Sequence, residues 1–178
     1  MEEKTLEKAT VCFLKKEGRI LLALKTKKIG MGRWNGYGGG IEHNENAKIA
    51  AVRELKEETG EEEPGDDKGI IALPEDLEKI AVVDFHNTKS DGDTFICQCH
   101  FYLVHKWTGE LKETEEMINP TWFDIDNLPY EQMMPADIDY LPTVLNGKKL
   151  KAKSYLGPFQ KEKLKDTEIE IVQFFDDD

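Results

Sequence analysis

The chain has 178 residues, 39% of them apolar, and 36 acidic against 24 basic side chains give a net charge of −12. That length suffices for one domain, 1–178, with a proper core, and no run of about 18 apolar residues offers a membrane span. The acidic balance argues against a surface that tracks the phosphates of long nucleic acids, although a nucleotide arriving with its own cation remains compatible with it.

Taken in chain order, the N-terminal M-E-E-K-T-L-E-K is charged and lacks the apolar stretch of a signal peptide, so a cytoplasmic location is expected. Apolar runs predict strands at 9–14 and 19–25, joined around Gly18 as a hairpin. A glycine-rich loop and a helix follow. Asn46 suits the helix N-cap and Gly60 its left-handed stop. Residues 61–76 read as an acidic surface loop. Further strands are expected at 80–85, 94–107 and 121–125. A short helix is expected at 138–145, with Pro142 tolerated within its first turn or so. Closing strands are expected at 151–155 and 169–175, and the acidic Asp176, Asp177 and Asp178 are peripheral. Cys12, Cys97 and Cys99 make an odd count and read as reduced thiols, Cys97 and Cys99 sharing one strand face. The mixture suits an α/β (α+β) fold, a mixed sheet with helices on both faces.

The first helix carries the chemistry. With Ile49 at zero and about 100° per residue, Glu57, Glu54 and Glu58 fall near roughly 80°, 140° and 180°. Val52 and Leu55 fall near roughly 300° and 240°, on the side of Ile49. One face is expected on the core and the opposite one gathers three carboxylates, with the small Ala50 and Ala51 leaving access to them. Like charges four apart repel by about 0.2–0.5 kcal/mol on an isolated helix, and acids late in a helix oppose its dipole. A hard divalent cation reverses both effects. A solvated acidic face is the alternative, since Glu61, Glu62 and Glu63 continue the run. Arg53 precedes Glu57 by four residues and can hold it through a charge-assisted hydrogen bond.

The stretch from Gly39 to Gly60 resembles the Nudix box, G-x5-E-x7-R-E-U-x-E-E-x-G-U with U a bulky apolar residue, at Gly39, Glu45, Arg53, Glu54, Leu55, Glu57, Glu58 and Gly60. Glu61 stands where an apolar residue is usual. The resemblance implies the Nudix fold, a mixed β-sheet sandwiched between helices, and hydrolysis of a nucleoside diphosphate linked to another group. It also implies Mg²⁺ as cofactor, with Mn²⁺ an alternative. Carried over by position, Glu54, Glu57, Glu58 and Arg53 are catalytic. Glu54, Glu57, Glu58, the Gly38 carbonyl and, as a remote candidate, Glu116 are metal ligands, and Glu45 braces the loop and helix.

The segments 28–39, 115–130, 133–137 and 165–171 further resemble the animal-type 8-oxo-dGTP diphosphatases, which release the monophosphate and pyrophosphate. That resemblance implies a nucleotide partner read by Asn35, Asp137 and Met134, with Thr10 and Lys25 also contacting it. Asn35 could instead be a turn residue, Asp137 a helix N-cap, Met133 and Met134 core filling, and Glu116 a solvated turn carboxylate. Three departures fall in this pocket: Met134 stands where the family has tryptophan, Ala136 where it has a second aspartate, and Val83 where it has a pocket phenylalanine. Another Nudix substrate (a dinucleoside polyphosphate, an RNA 5′ end or a nucleotide sugar) and a non-catalytic binding module are the competing readings. A monomer is expected, a homodimer being the alternative.

Overall fold

The computed structural model describes residues 2–176; Met1, Asp177 and Asp178, parts of the charged termini, lie outside the described residues. Its strands are β1 (Lys8–Lys16), β2 (Arg19–Lys25), β3 (Trp34–Asn35), β4 (Tyr37–Gly40), β5 (Ile70–Ile71), β6 (Leu77–Thr88), β7 (Thr94–Val104), β8 (Thr108–Gly109), β9 (Met117–Asp124), β10 (Lys149–Leu156) and β11 (Lys163–Val172), and its helices are α1 (Ala47–Thr59) and α2 (Asp137–Leu145). Nine strands form one mixed sheet in the order β11-β10-β6-β7-β1-β2-β3, with β4 added on β1 and β9 on β2. The β1–β7 and β6–β10 pairs are parallel and the rest antiparallel.

Strands β1 and β2 read as unbroken apolar runs because both of their faces are covered. Phe13, Ile20 and Leu22 pack with Tyr140, Leu141 and Val144 of α2. Cys12, Leu14, Leu21 and Ala23 pack on the other side with Ala51 and Leu55 of α1. The sheet is therefore sandwiched between helices, as expected.

Several boundaries differ from the sequence expectation. The glycine loop is largely strand: β4 pairs with β1, Gly38 opposite Val11 and Gly39 opposite Thr10. A Cβ at Gly38 would lie 1.8 Å from the Thr10 carbonyl oxygen, so glycine is what lets the two backbones approach. Residues 61–76 contain β5, paired with β8, and a 3₁₀ turn at Pro74–Asp76. The third expected strand grows to β6, and β7 stops at Val104, short of Trp107, which instead stacks on Trp122. β9 starts at Met117 rather than at 121; Pro120 is accommodated because β9 pairs only with β2 and slips register beside it. Pro142 sits in the second turn of α2, not the first, where the buried Tyr140, Leu141 and Val144 offset its lost hydrogen bond. β11 begins at Lys163 and ends at Val172; Phe175 is buried outside it.

Replacing Gly38 by alanine sets a methyl against a backbone carbonyl that cannot turn aside as a side chain would. A loss of at least about 2 kcal/mol in denaturant unfolding is expected, and an unchanged midpoint contradicts the close β1–β4 approach.

Candidate active site

Helix α1 is built as its caps suggest. The Asn46 side chain accepts the Ile49 N–H at 2.9 Å, and Gly60 ends the helix at φ 144° with its N–H on the Lys56 carbonyl. Its faces are not those the helical wheel assigned. Ile49 is 47% exposed, while Ala50, Ala51, Leu55 and Thr59 are buried. The sheet-facing side thus includes Glu54 and Glu58, which lie between Ala50 and Leu55 around the helix. The cause is steric: glycines at 38–40 leave that part of β4 without side chains, and the two carboxylates occupy the space. A Cβ on Gly39 would come within 2.5 Å of the Glu54 carboxylate.

Glu58 accepts the Gly38 N–H at 2.9 Å. Burial pushes its carboxyl from the ordinary 4.5 up to about 8, that backbone bond pulling it partly back down. Glu54 is raised by burial and restrained by Arg53, whose guanidinium lies 2.8 Å away. Arg53 meets Glu57 as an i,i+4 ion pair at 3.6 Å rather than through the expected hydrogen bond, and Glu57 is 44% exposed. Its hydrogen bonds go to Glu54, to the Gly40 carbonyl at 3.0 Å and, bidentately at 2.7 Å, to Glu45. Glu45 in turn accepts the Glu42 N–H, so it joins loop to helix. Glu61, past the helix stop, pairs with Lys56 at 2.9 Å.

A cavity of about 510 Å³ opens beside these groups, and Gly38, Glu54, Glu58 and Glu116 line it together with Thr10, Lys25, Asn35, Met134 and Asp137. Arg53 and Glu57 are not among its lining residues. Glu116 is held 2.7 Å from Lys28; burial raises its carboxyl, but Lys28, Lys27 and Lys25 outweigh that and it ends lower. Burial lowers the Lys25 ammonium, which Glu58 and Glu116 partly restore. The Thr10 hydroxyl is buried with no hydrogen-bond partner.

Two segments about a hundred residues apart form the opposite wall. Arg33 donates to the Met133 carbonyl and Trp34 to Gln132 at 3.2 Å, which ties the R-W-N-G strand to the M-M-P turn. Asn35 donates to the Arg33 carbonyl at 2.9 Å, leaving its side-chain oxygen unspent. Asp137 is not the N-cap of α2, a place taken by Ala136. It is buried and accepts the Met134 N–H at 3.1 Å and the Tyr140 hydroxyl at 2.9 Å. Burial pushes its carboxyl up to about 7, the Tyr140 and Met134 hydrogen bonds opposing. Met133 fills the core on the α2 side, whereas Met134 faces the cavity.

Val83 is buried in the core and does not line the cavity; Phe85, two residues on, does. Phe95, Cys97, Cys99 and Phe101 form a further apolar wall that sequence reading missed. Its signal was the alternation already noted for the two cysteines, extended one step each way along β7.

Among the described residues no three acidic, histidine or cysteine side chains converge as a preformed metal centre. Each carboxylate instead has a protein partner: Arg53 for Glu54, Lys28 for Glu116 and an N–H for Glu58. The donor set still fits a hard cation. It is all oxygen, and the burial that pushes the Glu58 carboxyl up disfavours its charge in the absence of a cation.

Residues 5–144 match the family model of the NUDIX domain. The chain is 34% identical over 151 residues to the oxidized purine nucleoside triphosphate hydrolase of Danio rerio, covering 85% of this chain and 84% of that one. It is 30% identical over 140 residues to the protein of the same name from Mus musculus, covering 79% and 80%. In fold it is similar to a MutT protein from Bacillus halodurans, with TM-score 0.74, 21% identity and coverage of 93% and 98%.

A carboxyl raised on folding leaves the metal-free protein weaker as pH climbs from 4.5 through about 8, the deficit being complete above that. Glu58→Gln keeps an acceptor for the Gly38 N–H and removes the charge. In excess chelator the variant is expected to melt above wild type at alkaline pH, with the difference closing towards pH 4.5; a wild type more stable at alkaline pH contradicts the shift.

Proposed function

The chain belongs to the Nudix family, and from that premise we propose that it is an Mg²⁺-dependent hydrolase of oxidised purine nucleoside triphosphates, yielding the monophosphate and pyrophosphate. Relatives named as oxidized purine nucleoside triphosphate hydrolases match most of the chain, and Nudix hydrolases generally use divalent metals. The observation that carries the reading is the single cavity that holds the acidic groups together with the Asn35–Asp137 wall.

In this reading Glu54, Glu58, Glu116 and the Gly38 carbonyl hold the cation, with Glu57 adding to the cluster from the rim. When bound, Mg²⁺ supplies charge neutralisation on the phosphate oxygens and lowers the cost of bringing water to phosphorus. Water adds to a phosphorus of the chain and gives a proton to one of the site carboxylates, one bridging P–O bond breaks, and the leaving oxygen takes the pair. Arg53 acts as a positioning residue, fixing Glu54 and Glu45 rather than touching substrate. Lys25 and Lys28 neutralise the phosphate chain, and the orphaned Thr10 hydroxyl finds its partner on the substrate.

Asn35 and Asp137 read the purine edge. Asn35 offers its free oxygen as an acceptor. Asp137, near the midpoint of its titration at about pH 7, accepts from the guanine N1–H and amino group when ionised and can also donate when protonated. Met134 covers the base with a flexible thioether, and Phe85 and Phe101 supply aromatic surface. Strands β10 and β11 extend the same sheet beyond residue 144, consistent with one Nudix domain over the whole chain. The acidic surface favours a free nucleotide over long nucleic acid, and a cytoplasmic monomer is the simplest setting. No helix among the described residues is long and apolar enough to cross a membrane.

A panel of normal and oxidised nucleotides with Mg²⁺ is expected to give the highest kcat/KM with 8-oxo-dGTP or a related oxidised purine triphosphate. Glu58→Gln should lower turnover at least about a hundredfold. The ratio of kcat/KM for oxidised guanine over oxidised adenine nucleotides should rise from about pH 6 to about pH 8 as Asp137 ionises, and should stay flat in Asp137→Asn. Strong turnover of a dinucleoside polyphosphate or nucleotide sugar, with negligible turnover of oxidised triphosphates, overturns the substrate assignment.

A further inference from the structure

The turn between β10 and β11 lies outside the stretch that matches the NUDIX model, yet it enters the base cavity. Gln160 lines that cavity with Leu156 and Phe85. The side chain is braced from below by a short polar chain. Asn87, only 4% exposed, donates through its amide to the Phe85 carbonyl at 3.0 Å. Its remaining oxygen accepts from the Gln160 amide at 2.9 Å. This leaves Gln160 with an unspent carbonyl oxygen and a second N–H beside the cavity.

The backbone is unusual at the same place. Phe159 and Gln160 both have φ 56°, the left-handed region that non-glycine residues seldom adopt. Two such residues in succession cost free energy and persist where the surroundings hold them. Here the Gln160 N–H bonds the Gly157 carbonyl at 2.9 Å and the Gly157 N–H bonds the Glu162 carbonyl at 3.0 Å, closing the turn. A glycine would adopt this turn without strain, but would bring no amide into the cavity.

We propose that Gln160 is a specificity determinant that contacts the base and reads its C8–N7 edge. This deepens the hydrolase reading above and rests on it. An unmodified purine presents at that edge a bare N7 lone pair and a C8–H. Oxidation at C8 replaces them with a carbonyl and an N7–H, an amide-like donor–acceptor pair. The Gln160 oxygen accepts that N7–H, and its free N–H donates to the C8 oxygen. Against an unmodified base the same oxygen faces a lone pair and the N–H faces a C–H. The amide therefore favours the oxidised form both by attraction and by the mismatch it presents to the normal one. Cys97, Phe85 and Leu156 shield the pair from water with apolar surface.

The test uses the full chain with Mg²⁺, wild type beside Gln160→Met and Gln160→Gly, measuring kcat and KM for 8-oxo-dGTP and dGTP together with Tm. Methionine keeps the length without the hydrogen bonds, and glycine relieves the turn while removing the side chain. In both variants the 8-oxo-dGTP over dGTP ratio of kcat/KM is expected to fall about tenfold, mainly through KM for the oxidised nucleotide. Tm should fall modestly in Gln160→Met, which leaves the buried Asn87 oxygen without its partner, and should change little in Gln160→Gly, where relief of the turn offsets the same loss. A ratio within twofold of wild type in Gln160→Gly with normal Tm reduces Gln160 to a turn residue and overturns the assignment alone. An equal loss on both nucleotides overturns it too. A wild type that turns over neither nucleotide removes the proposed function, and this assignment with it.

Discussion

The hydrogen bond from the Gly38 N–H to the Glu58 carboxylate joins the two elements on which the site depends. It connects the last turn of α1 to β4, and β4 reaches that position only because Gly38 can lie against the Thr10 carbonyl. The helix brings small residues, Ala50 and Ala51, to the same approach. The consequence is an acidic side chain set among protein atoms with an N–H as its hydrogen-bond partner and, among the described residues, no ion pair of its own. Folding energy from the two cores on either side of the sheet keeps it there, although its ionised form is disfavoured. A site that binds a cation needs such a carboxylate, poised to take up charge from outside rather than already neutralised.

The other carboxylates divide the work differently. Arg53 bridges Glu45 and Glu54, so the glutamate of the loop and that of the helix are fixed by one guanidinium. Lys28 restrains Glu116 from across the cavity. Under the proposed function, a cation would compete with Arg53 and Lys28 for two carboxylates and with a backbone N–H for the third, so electrostatics rather than a rigid preformed cage would govern its binding. At the other end of the cavity Asn35 and Asp137 are likewise held, by backbone and hydroxyl partners.

Much of this was legible in the residues, because caps, glycine spacing and strand alternation are local signals. Asn46 and Gly60 bound α1 as their chemistry predicts, and the cavity gathers Asn35, Met134 and Asp137 from the two segments that the family resemblance singled out. The helical wheel failed at Ile49. It ranks faces by hydrophobicity, whereas here the glycine strand creates a sheet-facing space that suits carboxylates. Arg53 was paired with Glu57 from spacing alone, but Glu45 and Glu54 offer it better geometry across the loop. Gln160 had no signal at all: a glutamine in a P-F-Q-K turn has no periodicity, and only the return of β10 alongside β6 brings it to the cavity.

Burial favours the protonated Glu58 carboxyl at neutral pH without a cation, and a bound cation would favour its ionised form. Calorimetric titration of Mg²⁺ into the metal-free protein near pH 7, in two buffers of different ionisation enthalpy, measures the protons released on binding. With the carboxyl at about 8, release close to one proton per Mg²⁺ is predicted, and it should vanish in Glu58→Gln along with most of the affinity. Magnesium binding with no proton release, or with the same release in Glu58→Gln, would contradict the account.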